Sequence, residues 1–251
     1  MRGPVVVHGR QMYVDDLDTL QILKNRVWGP VETDIIAQHV RLGDTFLDIG
    51  AHVGYFSLLA SSLIGPEGKV YSFEPCTANH KVLLKNLSIN GSKNAMVEQA
   101  VVLDHDGVCK LRLSKVNTGD HQAYDDPREP NRQSEEVKAV SLDSYFGPDG
   151  IKVDFVKMDV QAAEVYALRG MRRLLGMNPF VKVLLEFWPY GLVGAGSTKA
   201  EFLAELKSLG FSLYDVNEES GSVSPVTDAY ILSYPVSFAK YTNILCIRPR
   251  R

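Results

Sequence analysis

The segment that most limits how this chain can fold is Thr45-Phe46-Leu47-Asp48-Ile49, an apolar run with an acid near its end that breaks at once into Gly50-Ala51-His52-Val53-Gly54. An apolar stretch, Val53–Ile64, follows and stops at Gly65-Pro66. This spacing predicts a buried strand running through a glycine turn into a helix. In the pattern Asp-x-Gly-x-x-x-Gly, Gly50 lets the chain turn sharply and lets a ligand approach the backbone. Gly54 allows close packing of the helix on the strand. The helix would offer its first amides to that ligand.

The same alternation runs through the rest of the chain. Lys69–Glu74 reads as a strand with a terminal acid, and Ala78–Asn90 as a helix with apolar Val82, Leu83, Leu87 and Ile89, ended by Asn90-Gly91. Ala95–Leu103 is strand-like, and Val108–Leu113 is expected to pair with it across an Asp106-Gly107 turn. Ser114–Glu136 is polar, contains Pro127 and Pro130, and reads as a long loop of the kind that often serves function. Val137–Leu142, Val153–Asp159 and Val181–Phe187 are strands, and Gln161–Leu175 and Lys199–Leu209 are helices. Phe211–Val216 and Ile244–Ile247 lack a clear intervening helix and are expected to form an antiparallel pair. Strands alternating with helices mean an α/β fold, a doubly wound and mostly parallel sheet with helices on both faces. Ahead of it, Val31–Val40 has helical spacing. Residues 1–42 read as an N-terminal extension that caps one side of the site or makes a homodimer contact, before one domain over 43–251.

Composition narrows the class of protein. The 251 residues carry 27 Lys+Arg against 30 Asp+Glu and are 45% hydrophobic, which suits a chain that buries a substantial core and argues against a disordered or disulfide-built one. A formal net charge of −3 gives no reason to expect a nucleic acid or an anionic membrane as partner. Cys76, Cys109 and Cys246 are far apart, with neither zinc spacing nor a disulfide framework, and Cys76 is expected to be a buried or half-buried thiol. Val5-Val6-Val7 is too short for a signal-peptide core. No apolar stretch approaches the ~18 residues of a membrane span. These features point to a reduced, cytoplasmic protein.

In doubly wound sheets, ligands bind outside the carboxyl ends of the strands. Three strands end there in acids: Asp48, Glu74 and Asp159. Glu74, 24 residues after Gly50, is placed to accept both hydroxyls of a ribose. Sites for nicotinamide dinucleotides and for S-adenosylmethionine share that placement. The dinucleotide fingerprint Gly-x-Gly-x-x-Gly is broken here by His52 and Tyr55, so the turn suits a ligand without a pyrophosphate.

A set of further segments falls in a telling order. After Gly43–Phe56 and Val70-Tyr71-Ser72-Phe73-Glu74-Pro75 come Asn117-Thr118-Gly119-Asp120-His121, Ser141-Leu142-Asp143, and Val156-Lys157-Met158-Asp159-Val160 with Glu164. Glu186-Phe187-Trp188-Pro189 and Gly210-Phe211 complete it. On these residues the chain, over Gly43–Leu213, resembles the FkbM family of S-adenosylmethionine-dependent methyltransferases. The resemblance implies the class I methyltransferase (Rossmann-like) fold, with seven strands and a late antiparallel one. It also implies that Asp48, Gly50, His52, Gly54, Tyr55, Glu74 and Pro75 hold S-adenosylmethionine, and that the methyl goes to a hydroxyl of a sugar or secondary metabolite. Two departures stand out. Where the family commonly shows Asp-Val-Glu-Gly-x-Glu, this chain has Gln161 and Ala162, and His52 stands within the family's Gly-Ala-Asn.

Methyl transfer from a sulfonium to an alcohol is an in-line displacement that depends on positioning. It is helped by a base that takes the hydroxyl proton. Asp159, His121 and Glu186 are the candidates. Asp159 and Glu186 could form half of a Mg²⁺ site, but no full ligand set is visible, so no metal is expected. Glu164 either complements the start of its helix or joins the site. Trp188 and Tyr190 could form a wall for a sugar face, and Trp188–Ser197, with Gly191, Gly194 and Gly196, reads as a mobile lid. Asn178-Pro179-Phe180 precedes its strand and reads as a turn, not as the signature of a base methyltransferase. Two rival readings remain: an NAD(P)-dependent oxidoreductase, and a cofactor-binding protein without catalysis in which Gln161 and Ala162 mark a decayed site.

Overall fold

The computed structural model describes residues 3–249. A hairpin opens the chain, β1 (Val5–Val7) against β2 (Arg10–Met12). The helices α1 (Ile22–Asn25) and α2 (Pro30–His39) follow, α2 beginning on a proline whose missing N–H falls where no helical bond is needed. Then β3 (Thr45–Ile49) leads to α3 (Tyr55–Ile64), β4 (Lys69–Phe73) to α4 (Thr77–Ile89), and β5 (Ala95–Glu98) to β6 (Ala100–Val102). A side unit follows, made of β7 (Gly107–Leu113), β8 (Gln133–Val140) and α5 (Leu142–Tyr145). The second half comprises β9 (Phe155–Met158), α6 (Glu164–Gly170), α7 (Arg172–Met177), β10 (Lys182–Phe187), α8 (Pro189–Gly194) and α9 (Lys199–Ser208). It closes with β11 (Ser212–Asn217), β12 (Ser222–Pro225), α10 (Asp228–Ser233) and β13 (Thr242–Ile247).

The main sheet has the order β12-β11-β13-β10-β9-β3-β4-β5. β5, β4, β3, β9 and β10 are parallel, while β13 runs antiparallel between β10 and β11. This is the doubly wound, mostly parallel sheet with a late reversed strand; β12 adds an edge strand beyond the seven. The expected pairing of the last two strands holds, with Ser212 opposite Ile247. After β3 the chain winds outward to β4 and β5, then returns to place β9 on the other side of β3. The crevice between β3 and β9 is therefore the switch point where such sheets bind ligands.

Both faces of the central strands are covered, so β3 and β9 are buried almost throughout. On one face, Val7, Met12, Leu20, Ile22, Ile35 and Ile36 join Phe46 and the apolar side of α3 in one core. The N-terminal segment is thus packed into the body of the fold. Phe46 and Phe155 stack across β3 and β9 with ring centroids 5.5 Å apart. Among the described residues, no helix is long and apolar enough to cross a membrane. All three cysteines are free; Cys76 and Cys246 are buried and Cys109 is half-buried.

Several expectations are corrected. Ala95–Leu103 is not one strand: it breaks at Gln99, and β6 leaves the main sheet for a separate one of order β6-β8-β7. The hairpin across Asp106-Gly107 does not form, because β8 lies between the two partners, parallel to β6 and antiparallel to β7. Val137 and Ala139 of β8 bury against Val101 of β6 and Leu111 of β7, which a direct β6–β7 pair could not supply. The loop is shorter than Ser114–Glu136, since β8 starts at Gln133, and it is pinned by Arg132 to Asp120 at 2.6 Å. Gln161–Leu175 is helical only from Glu164 and breaks near Met171; Gln161 and Ala162 have φ of 49° and 74°, outside any right-handed helix. Residues 188–197 do not form a loose lid. Pro189–Gly194 is helical, with Pro189, Gly191 and Leu192 buried.

Candidate active site

A cavity of about 660 Å³ opens at the carboxyl ends of the central strands. That volume lies within the ~300–1,000 Å³ typical of small-molecule sites. Its wall combines Asp48, the turn Gly50–His52, Tyr55, Glu74 and Pro75 with Asn117–His121 from the polar loop. Lys157, Asp159, Glu186 and Trp188 close the other end.

Glu74 is almost fully buried and directed into the glycine turn. Its carboxylate accepts the His52 amide at 2.8 Å and the Cys76 amide at 2.9 Å. Burial pushes it up to about 7 against the pull of those amides and of Asn79. Asp48 accepts the Ser57 hydroxyl at 2.5 Å, so one of its oxygens anchors the first turn of α3. Burial lifts it to about 6. Tyr55 lines the cavity, but its hydroxyl is engaged by Thr33 at 3.0 Å and His8 at 2.9 Å, both from the N-terminal segment.

Gly50 (φ 82°) has no space for a side chain, because a Cβ there would lie 1.9 Å from the Asp159 carbonyl oxygen. The glycine turn and the Asp159 turn are thus in direct backbone contact. Gly54 packs against Leu83 of α4, so the close approach it permits is helix to helix rather than helix to strand. Gly50→Ala is expected to cost about 3 kcal/mol or more, from the backbone conformation and the clash together. Urea unfolding would measure it, and an undiminished midpoint would contradict the packing described here.

His52 also sits at positive φ, 50°. Its Nε2 hydrogen-bonds Thr118 Oγ1 at 2.9 Å, and Thr118 in turn meets Thr19 Oγ1 at 2.9 Å. Burial depresses His52 to about 4, so the ring is neutral at pH 7. Its Nδ1 is buried without a hydrogen-bond partner.

At the other end, Gln161 Nε2 lies 2.8 Å from Asp159 Oδ1 and 3.3 Å from Glu186 Oε2. Burial, followed by the charge of Asp159, raises Glu186 well above the usual carboxylate range. Lys157 is 2% exposed, 3.2 Å from Glu32 and 3.9 Å from Asp159. Burial pulls its pKa down, but the carboxylates of Glu32, Asp159 and Glu186 outweigh that and hold the ammonium above its ordinary value. His121 lines the cavity and its Nδ1 accepts the Ser114 amide at 3.0 Å. Burial lowers its pKa, so in the neutral ring Nε2 carries the proton.

The structure sorts the remaining candidates. Glu164 does not line the cavity; it accepts the Val160 amide at 3.2 Å at the start of α6, and burial lifts it to about 7. Trp188 is part of the wall and donates to the Phe238 carbonyl at 3.1 Å. Tyr190 is outside the wall, its ring packed under Arg128 at 3.7 Å. Thr19, Trp28, Lys157, Phe238 and Tyr241 line the cavity without having been singled out in the sequence. Lys157 left a signal, a charge inside a buried parallel strand. Phe238 and Tyr241, between α10 and β13, left none. Among the described residues, no group of three or more His, Cys, Asp or Glu is arranged to hold a metal ion.

A mostly parallel sheet flanked by helices, with a late antiparallel group of strands, is the fold of the S-adenosylmethionine-dependent methyltransferases. Residues 48–213 match the methyltransferase FkbM domain, and the chain belongs to that family. It is an S-adenosylmethionine-dependent methyltransferase. Among solved structures, it is similar to methyltransferase FkbM of Methylobacillus flagellatus, at 13% identity and a TM-score of 0.50, over 86% of this chain and 50% of that one. It is also similar to a Streptococcus mutans protein solved in complex with S-adenosylhomocysteine, at 10% identity and a TM-score of 0.51, over 88% and 97%. A third, the S-adenosylmethionine-dependent O-methyltransferase of Thermotoga maritima, is 16% identical with a TM-score of 0.49, over 94% and 71%. No curated protein sequence matches the chain.

Proposed function

We propose that the protein is an O-methyltransferase that moves the methyl of S-adenosylmethionine to a hydroxyl of a small molecule, a sugar or a secondary metabolite. The observation that carries this reading is one cavity with a buried ribose-type acid, Glu74, at one end and the carboxylate pair Asp159 and Glu186 at the other. When bound, the cofactor supplies an electrophilic methyl on a sulfonium.

The residues present fit that ligand. Glu74 would take the ribose hydroxyls. Gly50 lines the cavity at the turn, Gly54 supports that turn from behind against Leu83, and His52, whose Nδ1 is buried without a hydrogen-bond partner, lines the cavity beside it. Asp48, bonded to Ser57, and Tyr55, bonded to Thr33 and His8, line the cavity beside the turn, and Pro75 lines it beside Glu74. The described part of the N-terminal extension would form one wall through Thr19 and Trp28.

Asp159 is assigned the role of base for the acceptor hydroxyl, with Glu186 as its companion in the pair. His121, with its proton on Nε2, serves as a donor to the acceptor. Trp188, Phe238 and Tyr241 supply apolar surface on which a ring can rest and from which water is excluded. Lys157 keeps the acidic end from carrying the full repulsion of its carboxylates.

Calorimetric titration with S-adenosylhomocysteine, S-adenosylmethionine and NAD(H) separates this reading from its rivals. The adenosyl sulfur ligands are expected to bind and NAD(H) is not. Binding of NAD(H) alone would favour an oxidoreductase. Adenosyl binding with no methyl transfer to any hydroxyl acceptor would favour the non-catalytic alternative.

A further inference from the structure

Gln161 and Ala162 form a turn that the chain maintains against its own preference. Two consecutive residues with side chains, at φ of 49° and 74°, sit in the left-handed region that L-residues avoid. Such conformations persist only where surrounding structure enforces them. Here Ala162 is fully buried beneath the turn.

The turn delivers the Gln161 carboxamide to one place. Its single nitrogen bonds Asp159 at 2.8 Å and Glu186 at 3.3 Å, on the ends of neighbouring strands β9 and β10. These two carboxylates would repel each other if both were ionised, and a donor shared between them holds them together. Gln161 lines the cavity, and its carbonyl oxygen has no hydrogen bond among the described residues. A glutamate at this position would add a third carboxylate in place of the donor.

We propose that Gln161 is a positioning residue for the methyl acceptor: its amide clamps Asp159 and Glu186 into one pair, so that the carboxylate receiving the hydroxyl proton stays aimed at the acceptor. The inference rests on the hydroxyl-methylation reading above. On this view Gln161 is part of a working site and not the mark of a decayed one.

Gln161→Met keeps the length and apolar stem of the side chain and removes its hydrogen bonds, while Gln161→Glu puts a third carboxylate against the other two. Each is assayed for S-adenosylhomocysteine affinity, and for kcat and acceptor KM on a panel of monosaccharides, cyclitols and phenols. Gln161→Met is expected to lower kcat by ~10-fold or more with cofactor affinity within about twofold of wild type, and Gln161→Glu to lower kcat further. Wild-type kcat and acceptor KM in both variants would overturn the proposal. So would loss of S-adenosylhomocysteine binding in parallel with turnover, which marks a general structural role. A wild-type protein that binds S-adenosylhomocysteine and methylates no hydroxyl in the panel removes the underlying reading and this inference with it.

Discussion

Replacing Glu74 with Gln is expected to weaken S-adenosylhomocysteine binding by ~10–100-fold, the equivalent of ~1.5–3 kcal/mol for hydrogen bonds to a charged acceptor. The same substitution should abolish a pH dependence. Burial holds the Glu74 carboxyl at about 7, and only its ionised form is a pure acceptor for two ribose hydroxyls. Affinity in the wild type is therefore expected to climb between about pH 6 and 8 and then level off, whereas the variant stays flat.

Stability of the free protein should move the other way. An acid whose folded pKa lies above its unfolded value loses stabilisation as pH rises, here from 4.5 through about 7. At ~1.4 kcal/mol per unit this amounts to roughly 3 kcal/mol. Asp48 and Glu164 act in the same direction, from 3.8 to about 6 and from 4.5 to about 7. His52, lowered from 6.5 to about 4, opposes them by adding stability as pH rises through that window. Above about pH 6.5 its contribution is complete and only the loss remains. Melting curves of the free protein that rise between about pH 6.5 and 8 would contradict this account of the buried acids.

Asp159→Asn is expected to lower kcat by ~10²–10⁴-fold, the usual contribution of a positioned base. The amide has the same shape but cannot take the proton. Because the substitution leaves the Asp159 backbone against Gly50 unchanged and Glu74 keeps its own partners, S-adenosylhomocysteine affinity should change little. Glu186→Gln is expected to cost less, since burial and the charge of Asp159 disfavour the ionised form of Glu186 that the amide would replace. Steady-state kinetics with each variant measure both effects. Full activity in Asp159→Asn would move the base to another group of the wall.

The parallel core of the fold was legible because its signals are local. Thr45–Ile49, Lys69–Glu74 and Val153–Asp159 are apolar runs bounded by glycine or acid, Val181–Phe187 is a fourth apolar run, and each has a strand at its place. What the sequence concealed was set by contacts between distant segments. The Asp106-Gly107 turn proposed a hairpin, but β8, more than twenty residues away, supplies the apolar side chains that β6 and β7 each need. Gln161–Leu175 has helical periodicity, yet the buried turn at Gln161-Ala162 overrides it.

The site divides along the same line. Asp48, Gly50, His52, Tyr55, Glu74, Pro75, His121, Asp159 and Glu186 all line the cavity, because strand ends and their turns are local features. Gly54 lies behind it, packed on Leu83. The Glu32–Lys157 pair joins two elements with no spacing that a sequence could record.

The proposed reaction ends with the methyl group on oxygen. The most direct test supplies S-adenosylmethionine with an isotopically labelled methyl, offers the protein a panel of hydroxylated small molecules, and locates the label in the product by NMR. The expected product carries a labelled methyl bonded to a former hydroxyl oxygen, and the label disappears with Asp159→Asn. Label on nitrogen or carbon, or no transfer by a protein that binds S-adenosylhomocysteine tightly, would contradict that reaction.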